Sequence, residues 1–281
     1  MKEILYLPPE ESNGQKFLYR NCIGRFLLSL LVRPSLSRLA GRFLDSRFSC
    51  RFIPRFITKN NISMDDVEPR SFTSFNDFFT RRLKEGARPI DPDPSALISP
   101  CDCRLSVFPI RKDSVFTVKD SQYTVSSLLQ TEEWNELLEG GTCAIFRLTV
   151  SDYHRYCYFD SGTKGKNVFI PGVLHTVNPV STQGIPIYKT NSREYTLLQT
   201  DHFGPVLQME VGALMVGRIC NEHQEHQFLR GEEKGRFEFG GSTVVLLFPK
   251  GSVLWEEGLL EQSTRGLERI VKLGERIGTK A

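Results

Sequence analysis

Residues Gly235 to Phe248 read GRFEFGGSTVVLLF. Two strand-like runs meet there at Gly240-Gly241-Ser242-Thr243, and 40 residues remain from Ser242 to the C-terminus. Thr243 to Phe248 is apolar and rich in β-branched residues, the composition of a buried strand. Ser242 then stands at the mouth of that strand, behind two glycines whose backbone reaches angles closed to other residues. Two readings compete. A glycine turn feeding a strand is ordinary chain chemistry, and the tetrapeptide by itself favours it. The other reading is chemical: the serine hydroxyl attacks the carbonyl just before it, and the Gly-Ser amide becomes an ester that can eliminate.

The rest of the chain suits one large domain, or a domain with an appendage, and 281 residues can bury a substantial core. Composition is globular, with 40% hydrophobic and 25% charged residues and 20 phenylalanines. Because 36 basic residues face 33 acidic ones, an anionic partner must be met by a local patch. The seven cysteines are dispersed and odd in number, and no secretory signal precedes them, so reduced thiols in a cytoplasmic setting are expected. Cys101-x-Cys103 has no second close pair, and Cys220 with His223 and His226 lacks a clear fourth ligand, so no metal is expected.

The patch lies near the N-terminus. From Lys16 to Arg55 there are nine basic residues and one acid, Asp45. The longest uncharged apolar run, Phe26 to Val32, is far shorter than the ~20 residues that span a bilayer. Leu36, Leu39, Ala40, Phe43 and Leu44 form a helical stripe, with Arg38 and Arg42 one turn apart away from it. Such a helix lies on an anionic lipid surface, or packs on the protein's own core with its arginines in water. A nucleic-acid partner is not expected, since it would leave the stripe unused. Residues 1–58 thus read as a basic amphipathic arm and 59–281 as the catalytic unit.

Beyond Pro54 and the polar stretch Thr58 to Glu68, Ser74 and Asp77 signal a helix start. Phe75, Phe78, Phe79 and Leu83 make its apolar face, with Arg81 and Arg82 outside. Asp102 falls in a turn-rich segment between apolar strands. Tyr123 to Glu139 reads as a helix closed by Gly140-Gly141. Cys143 to Val150 alternates as a strand and delivers Ser151 to Cys157, a loop dense in ionisable groups. Strands are expected at Glu194 to Thr200 and Val206 to Ile219, and a last helix at Thr264 to Ile277 with Leu267, Ile270 and Val271 inward. The class is α+β: a β-rich core with N-terminal amphipathic helices.

Five segments in this order resemble the phosphatidylserine decarboxylases, the pyruvoyl-dependent lipid enzymes. They are Phe75 to Leu83 (FNDFFTRRL) running into Ala87 to Asp91 (ARPID), Ser99 to Asp102 (SPCD), Asp152 to Arg155 (DYHR), Phe203 to Gly217 ending in VGALMVG, and the opening stretch. The resemblance implies a carboxy-lyase made as a zymogen, cut by its own Ser242 after Gly241 into pieces of 241 and 40 residues. Ser242 becomes the pyruvoyl cofactor, a ketone that condenses with a primary amine and takes up electrons as CO2 departs. The implied reaction turns phosphatidylserine into phosphatidylethanolamine at an anionic membrane surface, by a peripheral homodimer on the cytoplasmic face.

By position, Asp102 matches the family aspartate that orients and charges the base. His154 matches the first histidine of the family's Tyr-His-x-x-His segment, and Cys157 stands where the second is usual. A thiol of pKa ~8.5 is mostly protonated at neutral pH, so His154 is expected to take both proton transfers, with Cys157 lining the pocket and His175 in reserve. Cys101 and Cys103, where the family prefers Ala and Gly, change packing more than chemistry. Two other functions keep part of this pattern: a pyruvoyl enzyme acting on a soluble amino acid, and a lipid-binding homologue that does not cut itself.

Overall fold

The computed structural model describes residues 6–7, 34–111, 115–118, 121–172, 187–212, 218–239 and 242–281. Its strands are β1 (Tyr6–Leu7), β2 (Ala96–Ile98), β3 (Cys103–Pro109), β4 (Val115–Val118), β5 (Ser121–Thr124), β6 (Thr142–Leu148), β7 (Arg155–Cys157), β8 (Gly162–Lys164) and β9 (Val168–Ile170). They continue as β10 (Arg193–Thr200), β11 (Gly204–Val211), β12 (Ile219–Asn221), β13 (His226–Phe228), β14 (Glu233–Phe237), β15 (Ser242–Phe248), β16 (Val253–Trp255), β17 (Glu268–Val271) and β18 (Arg276–Lys280). Among the described residues seven short α-helices accompany them: α1 (Pro34–Leu44), α2 (Ile53–Lys59), α3 (Phe75–Phe79), α4 (Val125–Leu129), α5 (Asn135–Leu138), α6 (Ile187–Thr190) and α7 (Leu259–Thr264).

The run STVVLLF forms β15, antiparallel to β6 on one side and β11 on the other. All seven of its residues are buried, because the sheet is covered on both faces. Val244, Leu246 and Phe248 point into one core with Leu105, Val107 and Phe146, while Val245 and Leu247 point into a second with Ile145, Leu207 and Met209. This two-sided burial explains why the sequence does not alternate. The main sheet runs β1-β17-β3-β6-β15-β11-β10-β8-β13, with β9 also on β10. Two three-stranded sheets, β12-β14-β7 and β16-β18-β2, and the β4-β5 ribbon complete the α+β class expected.

The N-terminal arm is not helical throughout: as far as it is described, it comprises β1, laid on β17 of the main sheet, then α1, a 3-10 turn Arg47–Phe52 and α2. Lys16 to Arg33, with Cys22 and the run Phe26 to Val32, lies outside the described residues. The arm is not simply laid against the protein. Ile53 joins Ile62, Phe75, Phe78 and Phe79 in a third core, backed by Leu44, Phe56 and Phe239. Its other side carries Leu39, Phe43, Phe48 and Phe52, which are 44–63% exposed. The three phenylalanine rings meet at 6.0–6.4 Å and Arg51 lies 3.7 Å over Phe48. No helix among the described residues is long and apolar enough to cross a membrane.

Several local readings change. Thr264 to Ile277 is not a helix: α7 ends at Thr264, Gly266 turns the chain at φ +79°, and β17 and β18 follow. The pairing of β17 with β3 outweighs the weak helical stripe, and Ile270 stays outward. Tyr123 to Glu139 splits because Gln130, at φ 54°, ends α4 after five residues. The long strand expected from Val206 stops at Val211, and Ile219 enters a different sheet. Helix α3 does start at the Ser74 cap, whose side chain accepts the Asp77 N–H, but closes at Phe79. Arg81 then turns inward and is 4% exposed, not outside.

Candidate active site

Ser242 opens β15 opposite Leu148 and is fully buried. Its Oγ has no hydrogen-bond partner among the described residues. Leaving a buried hydroxyl unpaired costs about 1–3 kcal/mol, so such an atom in the middle of a well-formed sheet calls for a reason. Gly240 and Gly241, and with them the carbonyl next to Ser242, lie outside the described residues. The chain up to them is well held: Phe237 N–H donates to His154 O at 2.9 Å, and Phe239 N–H donates to Asn76 Oδ1 at 3.2 Å. Asn76 in turn donates to Asp45 Oδ1 of the arm at 2.7 Å.

His154 follows a turn that closes β6. There Asp152 Oδ2 accepts from Thr149 N (2.6 Å) and Oγ1 (2.8 Å), and Asp152 N–H returns to Thr149 O at 3.0 Å. The imidazole is fully buried and lies 4.0 Å, centre to centre, from the ring of Phe79, which also meets Phe239 at 5.0 Å. Phe79 therefore joins the histidine to the segment that runs into Ser242. Nδ1 sits 2.9 Å from Asp152 O. A carbonyl can only accept, so Nδ1 carries the proton and Nε2 the lone pair. Nε2 is buried and without a partner, like Ser242 Oγ. Burial, and then the positive charge of Arg81, push the His154 pKa down to about 3. The ring is therefore neutral across physiological pH and can only accept at Nε2.

Arg81 is the residue that the sequence reading missed. Its Nη2 donates to Ser151 O (3.2 Å) and Asp152 O (3.3 Å), while Nε and Nη1 have no partner among the described residues. Burial lowers its pKa, and the charges of Asp102 and Asp152 work against that. A half-paired guanidinium beside a neutral imidazole can hold a negative oxygen. The signal in the sequence was its place, directly after the aromatic run FFT, where a turn rather than a helix carries it inward.

Asp102 sits before β3 and is 7% exposed. Its carboxylate takes Arg88 in a fork, Nε to Oδ1 at 2.8 Å and Nη2 to Oδ2 at 2.6 Å, and accepts Leu273 N–H at 2.9 Å. It makes no hydrogen bond to His154, whose Nδ1 is taken by the Asp152 carbonyl; its negative charge is felt at Arg81 instead. Cys157 ends β7, buried with Cys101 and Cys103, its N–H donating to Pro100 O at 2.9 Å. Burial pushes its thiol up to about 12, so it is a protonated wall residue and not a base. His175 lies outside the described residues. A cleft of about 190 Å³ opens beside Cys157, lined by Lys84, Arg88, Tyr153, Arg155 and Leu273 among others.

The strand before the site is fixed by a separate buried cluster. Lys234 Nζ donates to Glu210 Oε1 (2.7 Å) and Asn221 Oδ1 (2.8 Å), and Asn221 donates to Glu194 Oε1 (2.7 Å). Tyr156 OH adds a bond to Asn221 Oδ1 at 3.1 Å. These contacts tie β12, β14 and β7 to β10 and β11 of the main sheet.

Comparison with known proteins converges on the same segments. The phosphatidylserine decarboxylase family model matches residues 75–279. The phosphatidylserine decarboxylase proenzyme 2 of Clostridium acetobutylicum is 45% identical over 280 residues, 99% of this chain and 96% of that protein. Phosphatidylserine decarboxylase proenzymes of Clostridium perfringens and Clostridium novyi are 39% and 38% identical, covering 96% and 95% of this chain and 95% and 93% of theirs. Since the match runs from α3 into β18, through every strand around Ser242 and His154, the chain belongs to the phosphatidylserine decarboxylase family.

Proposed function

We propose that the chain is made as a proenzyme, cuts itself between Gly241 and Ser242, and then decarboxylates phosphatidylserine to phosphatidylethanolamine. The observation that carries this reading is the buried, unpartnered Oγ of Ser242 at the head of the central strand, in a chain with these relatives. His154 Nε2 is the base, since it alone of the two ring nitrogens has a lone pair to give. As it takes the Ser242 proton, Oγ bonds to the Gly241 carbonyl carbon and the Gly-Ser C–N bond breaks, leaving an ester and a free amine. Arg81 offers two N–H groups to the oxygen that becomes negative on the way. Loss of the Ser242 α-proton then expels Oγ with the Gly241 carboxylate, and water replaces the remaining nitrogen, released as ammonia.

Ser242 itself fits the pyruvoyl group, since no other side chain is needed to anchor it. The group supplies a ketone for a primary amine and a sink for the electron pair freed by CO2. Around it, Phe79 and Phe239 exclude water, and His154 holds its lone pair toward the buried side. In the adjoining cleft Arg88 and Arg155 are paired with Asp102 and Glu233, and Lys84 is the cation left to meet an anionic head group. Leu39, Phe43, Phe48 and Phe52, with Arg42, Arg47 and Arg51 exposed among them, suit a peripheral dock on an anionic leaflet, the cytoplasmic one. Within residues 1–58 the helical part from Pro34 is the docking arm, β1 belonging to the main sheet, and 59–281 form the catalytic unit of an expected homodimer.

The deciding experiment is the intact mass of the purified protein. Two species are expected, one of them a fragment of about 40 residues with a pyruvoyl N-terminus, its length following from the position of Ser242. A single 32.1 kDa chain under conditions where the protein is folded would exclude the proenzyme reading and leave a lipid-binding homologue.

A further inference from the structure

On the far side of the Lys234 cluster, the fold assembles His223, His226 and Glu232, each able to present a donor atom within 4.8 Å of those of the other two. In the chain only His223-x-x-His226 and a nearby Cys220 stand close together. The thiol points elsewhere, 3.6 Å from Glu238 Oε1. The third group arrives through a tight turn after β13, where Gly231 at φ +82° lets Glu232 fold back. Glu232 Oε2 accepts Leu229 N–H at 2.9 Å, and Oε1 lies 2.7 Å from His226 Nε2.

A plain His226–Glu232 ion pair does not account for the rest of the cluster. The His223 and His226 rings stack with centres 3.7 Å apart and planes 9° from parallel, and His223 Nδ1 is shielded from solvent without a hydrogen-bond partner. The stacked rings and the unpartnered ring nitrogen leave imidazole lone-pair capacity that the protein's own hydrogen bonds do not use. The turn is braced from behind: Lys164 Nζ and Asn167 Nδ2 each donate to His223 O at 3.0 Å. Two imidazoles and one carboxylate, with room for water, form a donor set for first-row divalent ions of the zinc type. Bonds of about 2.0–2.1 Å in tetrahedral geometry place donors roughly 3.3 Å apart. The His226–Glu232 contact must therefore open slightly and the wider gaps close, within the reach of side-chain rotation. The ammonium of Lys164 opposes a second cation nearby and limits affinity, but it is directed at backbone carbonyls and Asn167 Oδ1 rather than at the three donors.

We propose that His223, His226 and Glu232 bind a divalent transition metal ion of the zinc class. Glu232 immediately precedes β14, whose Phe237 is bonded to His154, so the ion acts as a brace on the turn that leads to the site. The inference does not depend on the decarboxylase reading.

Tag-free protein stripped with chelator and titrated with Zn2+ by calorimetry, and with Co2+ by visible absorption, tests it. Expected is one equivalent bound, with the d–d bands of four- or five-coordinate Co2+. His223→Ala and Glu232→Gln should each weaken binding by about 10-fold or more, while His202→Ala, at a histidine paired with Asp160, should not change it. Zinc should also raise the melting temperature of the parent and not of His223→Ala, a turn substitution whose folding is checked by circular dichroism. Absence of saturable binding, or binding that His223→Ala leaves unchanged, overturns the proposal.

Discussion

Two groups of buried polar side chains are tied to β14, one through Lys234 and the other through the Phe237–His154 bond, and they are treated in opposite ways. Lys234 and Glu210, both fully buried, are matched to each other and to Asn221. Ser242 Oγ, His154 Nε2 and Arg81 Nε and Nη1 are as deeply buried and unmatched. In the first group, desolvation is offset by pairing, and the product is a fixed strand. In the second, each unpaired atom costs about 1–3 kcal/mol, and under the proposed function that cost is set against reactivity, because an unbonded hydroxyl and an unbonded lone pair are what a proton transfer consumes. Unpaired buried atoms also occur elsewhere, Thr243 Oγ1 and Tyr158 OH among them, so it is the gathering of a hydroxyl, a lone pair and a guanidinium that sets this group apart.

This contrast can be broken most directly at Ser242. Ser242→Ala should abolish self-cleavage and decarboxylation together, leaving one 32.1 kDa band on a denaturing gel with the melting temperature unchanged or raised. A variant that still yields the small fragment would assign the nucleophile elsewhere. His154→Ala should slow cleavage by about 10²–10⁴-fold, the usual worth of a positioned base. A time course at wild-type rate would return the choice to His175.

The paired side is tested by stability. Lys234→Met should destabilise by about 3–5 kcal/mol, since it strands Glu210, and Lys234→Met with Glu210→Met should recover most of that. Urea melts of the three proteins measure this, and a double variant no better than the single one would mean that the cluster is not paired as described. On the arm, Phe48→Ser with Phe52→Ser should weaken binding to anionic vesicles by roughly tenfold. Equal sedimentation with vesicles would remove the docking assignment and favour a soluble substrate.

The smallest effect expected is in pH. Burial raises the Asp152 carboxyl to about 6, with its bonds from Thr149 opposing. Protonation as pH falls through 6 removes a negative charge beside Arg81, which leaves more uncompensated positive charge at His154 and makes it a poorer base. Cleavage should therefore slow a few-fold below pH 6, and Asp152→Asn should flatten that limb. His154, with its pKa near 3, adds no break of its own between pH 5 and 9.

Much of this was legible in the chain. STVVLLF could be little else than a buried strand, and the Ser74 cap announced α3. What escaped the sequence was set by contacts from far away. Thr264 to Ile277 has a faint helical stripe, yet pairing with β3 and β2, strands more than 150 residues earlier, decides its form. Arg81 looked like a solvent-facing charge because the helix was carried on to Leu83, four residues past its end at Phe79. Asp102 could be placed in a turn, but its fork to Arg88 and its distance from the His154 proton depend on how the segment folds back over Leu273. Glu232 joined two histidines only through the backbone reversal at Gly231.

The placement of β15 bears on the order of events in the molecule's life. Seven of its residues align with β6 and five with β11, both upstream of Ser242, and β17 and β18 are likewise laid against β3 and β2. A cut at Gly241-Ser242 is thus a nick in finished weaving, and the last 40 residues stay where they were threaded. Before the nick, those strands find their places as part of one chain, with the high effective concentration that a covalent tether gives. After it, the same sheet could be rebuilt only by two molecules meeting. The uncut protein should therefore refold from urea, and the cut one should not: maturation turns a reversible equilibrium into a structure that lasts only as long as it stays closed.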